Sequence, residues 1–281
     1  MKPRLEARPS QFADPESQTP LNAPAFDTWR EPDGGTIATF HRVRTVILVR
    51  FPGIADFEVD TDTRRVKVIP VSRSAISAAS VLLENSIAPL LANHAGGTNL
   101  HGSASAIGGR GVAFLGVSRR GKSTLAGAFM RRGHPLLTED VLDLERGETG
   151  WLVRPHPGSL RLFADSAANL GFGASRAGKA PVCAASLTRA NETVPLAAIY
   201  LLGDGASGRV TIGSLSPADA LAELLRHAFV LDVEDHAFLI SHFERLAELA
   251  AAIPCRRLDY PRRYDVLPQV VAAVVDDLAQ T

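Results

Sequence analysis

The run Gly116-Val117-Ser118-Arg119-Arg120-Gly121-Lys122-Ser123 has the residue types and spacing to hold the phosphates of a nucleoside triphosphate. In such a loop the backbone N–H groups of residues 118–123 curl around a β-phosphate, and the following helix adds the positive end of its dipole. Lys122 reaches the β- and γ-phosphates, the Ser123 hydroxyl serves as a Mg²⁺ ligand, and Thr124 completes the binding set. The plainer alternative is a glycine-rich turn between a strand and a helix in some other α/β protein.

Two carboxylates follow at short range. Glu139-Asp140 ends an apolar run, and Asp140 lies 18 residues after Lys122. One acid can hold Mg²⁺ while the other takes the proton of an attacking hydroxyl. Neighbours on a strand point to opposite faces, so the pair needs a strand end or a bend to act together. Read this way, the acids lie on a strand beside the loop strand. The alternative is an exposed acidic turn. His101 sits next to Gly102 on the strand preceding the loop strand. By itself a histidine there is more often a structural group than a catalytic one.

These residues need elements to position them. From residue 98 the pattern alternates: "NLHGSASAI" and "GVAFLG" read as strands, "KSTLAGAFMRRG" as a helix closed by Gly133, and "PLLTEDVLDLE" as one strand carrying the acids. Short strands follow at "WLVRPHPG" and "SLRLF", then a helix at "ADSAANLG" and a long loop over 173–192. "PLAAIYLLG" reads as a central strand and "GRVTIGSL" as another. Two helices, a strand at "CRRLDYP" and a closing helix complete the chain, the first helix capped by Ser216 with Pro217 in its first turn. Upstream, residues 1–35 read as a loose leader, and 36–95 as a small β-rich unit plus a helix over 76–94 that Pro89 kinks or divides. Residues 96–281 then form the catalytic domain.

Composition narrows the partners. Lys+Arg and Asp+Glu are both 30, so the balanced charge argues against nucleic acid or an anionic membrane. Two cysteines are too few for a disulfide framework and suit a reduced cytoplasm. The N-terminus has no signal-like apolar run, and apolar stretches such as "LAELAAAIP" are too short to cross a bilayer. The eight histidines form no His-Glu-x-x-His motif, so a metal hydrolase is not indicated.

The ordered motifs "LHGSASAI", "GVAFLGVSRRGKSTLAGAFMRRGH" and "LLTEDVL" resemble the catalytic domain of the HPr kinase/phosphorylase family, and more closely its members in lasso-peptide biosynthesis clusters. The resemblance spans roughly 36–275, taking in "HRVRTVILVRFPGIADFEV", "HPGSLRLFADSAANLG" and "PLAAIYLLG". It implies an α/β fold: a PEP-carboxykinase-like P-loop kinase core, a mixed β-sheet with flanking helices, joined to a small β-rich N-terminal unit. It implies ATP and Mg²⁺ as cofactors and transfer of the γ-phosphoryl group to a serine hydroxyl. By position, His101 matches the active-site histidine, Glu139 the base, Asp140 the metal acid, and Arg161 an arginine of the site; Lys179 matches a basic residue of a mobile segment. Arg119 stands where the family has glycine, and Glu139 where it has aspartate, one methylene shorter. The implied acceptor is a serine at the tail of a precursor peptide, or another serine-bearing molecule. A homo-oligomer is compatible, with no residue here fixing its size. Two other functions stay open: a small-molecule P-loop kinase, which would carry an Arg-bearing helical lid, and a nucleotide-binding protein with a degenerate site.

Overall fold

The computed structural model describes residues 12–31, 33–118, 120–156, 160–173, 180–182 and 189–280. They divide into two compact units, one within Met1–Gly97 and Phe229–Ser241, the other within Thr98–Ala228 and His242–Thr281.

The first unit is a five-stranded antiparallel meander: β1 (Ala25–Arg30), β2 (Thr36–Val43), β3 (Val46–Phe51), β4 (Ala55–Asp60) and β5 (Arg65–Pro70), paired in sequence order. Strands β2 to β5 fall where alternating β-branched and aromatic residues predict them. β1 is a correction, because it lies in the stretch read as a loose leader. Its Phe26 and Trp29 pack on Phe40, which explains why a Pro- and Asp-rich segment orders there. The residues before it are also tied down, with Ala13 N–H donating to Val68 O at 2.8 Å and Glu16 N–H to Pro70 O at 2.9 Å. The unit further includes 229–241, a segment read from sequence as part of the catalytic domain. Arg42 binds both carboxylate oxygens of Asp232 from that segment, at 2.8 and 2.7 Å.

The helix expected over 76–94 is α1 (Ile76–Leu82) and α2 (Ala88–His94), joined by a π-helical turn at Leu83–Ile87. Pro89 has no N–H to continue the ladder and sits in the first turn of α2, so the wide turn absorbs the break just before it. The run Arg73–His94 is long and apolar enough, by length and composition, to cross a membrane, which corrects the expectation that no stretch is. Its Ile87, Leu90 and Leu91 are fully buried, while about two thirds of its most apolar window is not.

The second unit is a mixed α/β layer structure. Its strands are β6 (Thr98–Ile107), β7 (Arg110–Leu115), β8 (Leu136–Thr138), β9 (Val141–Arg146), β10 (Trp151–Arg154), β11 (Arg161–Leu162), β12 (Ala180–Pro181), β13 (Val194–Leu202), β14 (Thr211–Ser214) and β15 (Cys255–Asp259). Its helices are α3 (Lys122–Arg131), α4 (Ala164–Asn169), α5 (Pro217–Arg226), α6 (His236–Ala252, which begins in the segment of the first unit) and α7 (Leu267–Ala279). The main sheet runs β10-β9-β6-β7-β13-β15-β14, with β8 also on β6. β7, β13 and β15 are mutually parallel, and β6 is antiparallel to β7. β12 lies in the stretch read as loop and pairs with β11.

Period-two alternation sends side chains to both faces of this sheet. Ala113, Leu115, Ile199 and Leu201 pack with α5 and α6 residues such as Leu224, Leu246 and Leu249. Phe114, Ala198, Tyr200 and Leu202 pack with Leu125 and Phe129 of α3 and Val270 and Val274 of α7. Leu196 joins the first group although its parity is that of Ala198; an irregularity in the β7–β13 register between them resets the phase.

Candidate active site

β7 delivers the loop, and α3 begins at Lys122. Gly121 caps that helix with φ +87°, a left-handed value that glycine takes without a Cβ penalty. Ser118 and Val117 are exposed at the loop tip. Arg120 N–H turns back to Val117 O at 3.3 Å. Arg119 lies outside the described residues. The Lys122 ammonium is buried and donates to Gly116 O at 2.6 Å and Val117 O at 3.3 Å, so it sits inside the curl of its own loop.

The acids are not on one continuous strand. β8 stops at Thr138 and β9 starts at Val141, leaving Glu139-Asp140 as a break between two strands that share one edge of β6. Asp140 has φ +68°, an uncommon value for any residue but glycine and best tolerated by Asn and Asp. This break is the bend that an adjacent acid pair needs. The acid-bearing strands do not lie beside the loop strand as expected, because β6 intervenes between them and β7. The reach across is made by side chains: Ser123 Oγ donates to Glu139 Oε1 at 2.6 Å. The other oxygen, Oε2, accepts the backbone N–H of Arg161 at 2.9 Å. Arg161 thus enters the site through its main chain. Lys179 lies outside the described residues.

His101, on β6, pairs with Val141 at the edge of this break. Its Nδ1 lies 3.0 Å from Asp140 O and its backbone N–H donates to His227 O at 2.7 Å. A carbonyl only accepts, so Nδ1 carries the proton and a neutral ring keeps its lone pair on Nε2. Gly102 N–H also donates to Asp140 O, at 3.3 Å. The left-handed turn at Asp140 is therefore held from β6 by two donors.

Several neighbours carry no sequence signal. His227, one residue past α5, is buried, and its pKa is pushed down to about 4 by burial first and then by the charge of Lys122, with a further contribution from His101 when that ring is protonated. Arg189 falls in the stretch read as loop. Burial lowers its guanidinium pKa while the Glu139 carboxylate opposes the shift, and its side chain donates to His156 O at 2.7 Å. On the other flank of the loop, a Cβ at Gly121 would lie 3.7 Å from the Tyr260 hydroxyl. Arg262 stacks over Tyr260 at 4.1 Å and donates to Gly203 O at 2.6 Å. Nothing in the spelling of "CRRLDYPRRY" marks these groups; their place follows from β15 running parallel to β13 and ending at the same level.

The structure thus brings Gly116, Gly121, Lys122, Ser123, Glu139 and the Arg161 backbone to one place, with His101 bound to Asp140 beside it. Among the described residues, no three His, Cys, Asp or Glu side chains gather as a metal cluster. No family model and no curated protein matches the chain. Among solved structures it is similar to the Hpr(Ser) kinase/phosphatase from Coxiella burnetii, at 15% identity and a TM-score of 0.33, over 65% of this chain and 97% of that one.

Proposed function

We propose that this protein is a cytoplasmic, ATP- and Mg²⁺-dependent kinase that transfers the γ-phosphoryl group to a serine hydroxyl, built on a PEP-carboxykinase-like P-loop core. The observation that carries the reading is the 2.6 Å bond from Ser123 Oγ to Glu139 Oε1. It joins the phosphate loop to the acid pair, which a glycine-rich turn of other purpose has no reason to do.

A hydroxyl and a carboxylate at that distance suit a hard dication that also takes phosphate oxygens and water. Ser123 and Glu139 would hold it, and it would neutralise charge on the phosphate oxygens. This ordering reverses the one the resemblance implies, in which Asp140 is the metal acid. Glu139 is buried and engaged with Ser123 and Arg161 N–H, whereas Asp140 is more open, at the bend. Asp140 is then the base. The acceptor oxygen bonds to the γ-phosphorus, the bond from phosphorus to the β,γ-bridging oxygen breaks, ADP leaves, and Asp140 takes the hydroxyl proton. Lys122 leaves its loop carbonyls for the β- and γ-phosphates, and His101 fixes the Asp140 main chain.

The acceptor we propose is the C-terminal serine of a precursor peptide, on the sequence resemblance to the lasso-cluster kinases. The test is ADP formation from Mg-ATP with a peptide ending in Ser and the same peptide ending in Ala. ADP release that requires the Ser peptide supports the reading. Equal release with either peptide contradicts it.

A further inference from the structure

The three parallel strands β7, β13 and β15 end at Leu115, Leu202 and Asp259, and sheets of this kind bind ligands beyond those carboxyl ends. The acids and His101 occupy the β6 side of the loop. A run of polar side chains with no role in the chemistry described above leaves the loop helix at Thr124 and reaches Tyr264, which follows β15. Thr124 Oγ1 lies 3.1 Å from Ser166 Oγ, which lies 3.1 Å from the Tyr264 hydroxyl, and that hydroxyl donates to Asp165 Oδ2 at 2.7 Å. Consecutive residues of α3 therefore face different neighbours: Ser123 meets Glu139, and Thr124 meets Ser166.

Moving outward, the groups become more accessible. Ser166 is buried, Tyr264 half-buried and Asp165 exposed. The run ends in a half-buried aromatic ring, packed by one side against the core, and an exposed carboxylate, both tied to the first turn of the phosphate helix. A ring can stack on a base, and a carboxylate can accept from ribose hydroxyls. We propose that Thr124, Ser166, Tyr264 and Asp165 form the nucleoside subsite of the loop, taking a ribonucleoside with its base against Tyr264 and its ribose hydroxyls on Asp165. This rests on the triphosphate reading of the loop.

The test is titration of the full-length protein with Mg-ATP, Mg-2′-deoxyATP and Mg-tripolyphosphate, the last having no nucleoside. Wild type should prefer ATP to 2′-deoxyATP by on the order of tenfold. Asp165→Asn should erase that preference. Tyr264→Ala should weaken ATP by on the order of tenfold, while Tyr264→Phe, which keeps the ring, should not. Tripolyphosphate binding should be unchanged in all three variants. ATP affinity untouched by Tyr264→Ala and Asp165→Asn overturns the subsite, as does loss of tripolyphosphate in step with ATP. Wild type that binds tripolyphosphate as tightly as ATP leaves the loop reading standing and overturns only the subsite. Wild type that binds neither overturns the loop reading and the subsite together.

Discussion

Glu139 and Asp140 are consecutive, but the chain holds them differently. Glu139 has one oxygen on Ser123 and the other on the Arg161 N–H, so shortening or neutralising it strips the loop of its acid partner. Glu139→Gln should lower turnover by on the order of a hundredfold or more and raise the Mg²⁺ concentration needed for half-maximal rate. A Mg²⁺ titration of initial rates checks both. Asp140 holds a left-handed φ of +68°, which costs an ordinary residue about 1–2 kcal/mol and glycine almost nothing. Asp140→Gly and Asp140→Ala should both abolish transfer, since each removes the carboxylate. The glycine variant should nevertheless be the more stable by about 1 kcal/mol, read from urea unfolding midpoints. Equal stability of the two would mean that the backbone there relaxes without the aspartate.

At the scale of elements, β6 and β7 form the hairpin that delivers the loop and carries His101. Gly102 sits where a Cβ would approach Leu115 Cδ2 to 2.5 Å and Phe114 O to 3.0 Å. The leucine can swing aside, but the backbone carbonyl cannot. Gly102→Ala should destabilise the protein by about 1–3 kcal/mol and disturb the donor that holds Asp140 O. Chemical denaturation measures the first effect, and turnover per folded molecule the second. Much of this hairpin was legible from sequence: two strand-like runs flank Gly108-Gly109, and the loop motif fixes where the second strand must end. Strand β1 was not legible, because its ordering depends on Phe40, a partner far off in sequence. The break at Glu139-Asp140 was hidden too. Its residues read as a continuous strand, whereas the chain turns at the left-handed Asp140 and β8 and β9 pair separately along one edge of β6. Tyr264 and Asp165 carried no signal, since 99 residues separate them and only the fold brings them together.

At the scale of the whole molecule, two buried histidines set a limit on acid stability. His227 and His242 both have pKa values pushed down to about 4, first by burial and then by nearby cations. In the unfolded chain each titrates near 6.5, so the unfolded state takes up protons first as the pH falls. The stability is present in full above about 6.5 and is lost as pH drops toward about 4. Denaturation midpoints measured at pH 7 and pH 5 should therefore fall with pH, and His242→Leu should flatten the slope. A midpoint that rises on acidification would contradict the burial of these rings.

In the proposed reaction, loop, acids and His101 together move a phosphoryl group from ATP to a serine. Its most direct test is the intact mass of a precursor peptide ending in Ser after incubation with Mg-ATP and the protein. The expected result is a gain of one phosphoryl group on the terminal serine, absent with Lys122→Ala and absent when that serine is alanine. An unmodified peptide, in the presence of folded wild-type protein that binds Mg-ATP, would contradict it.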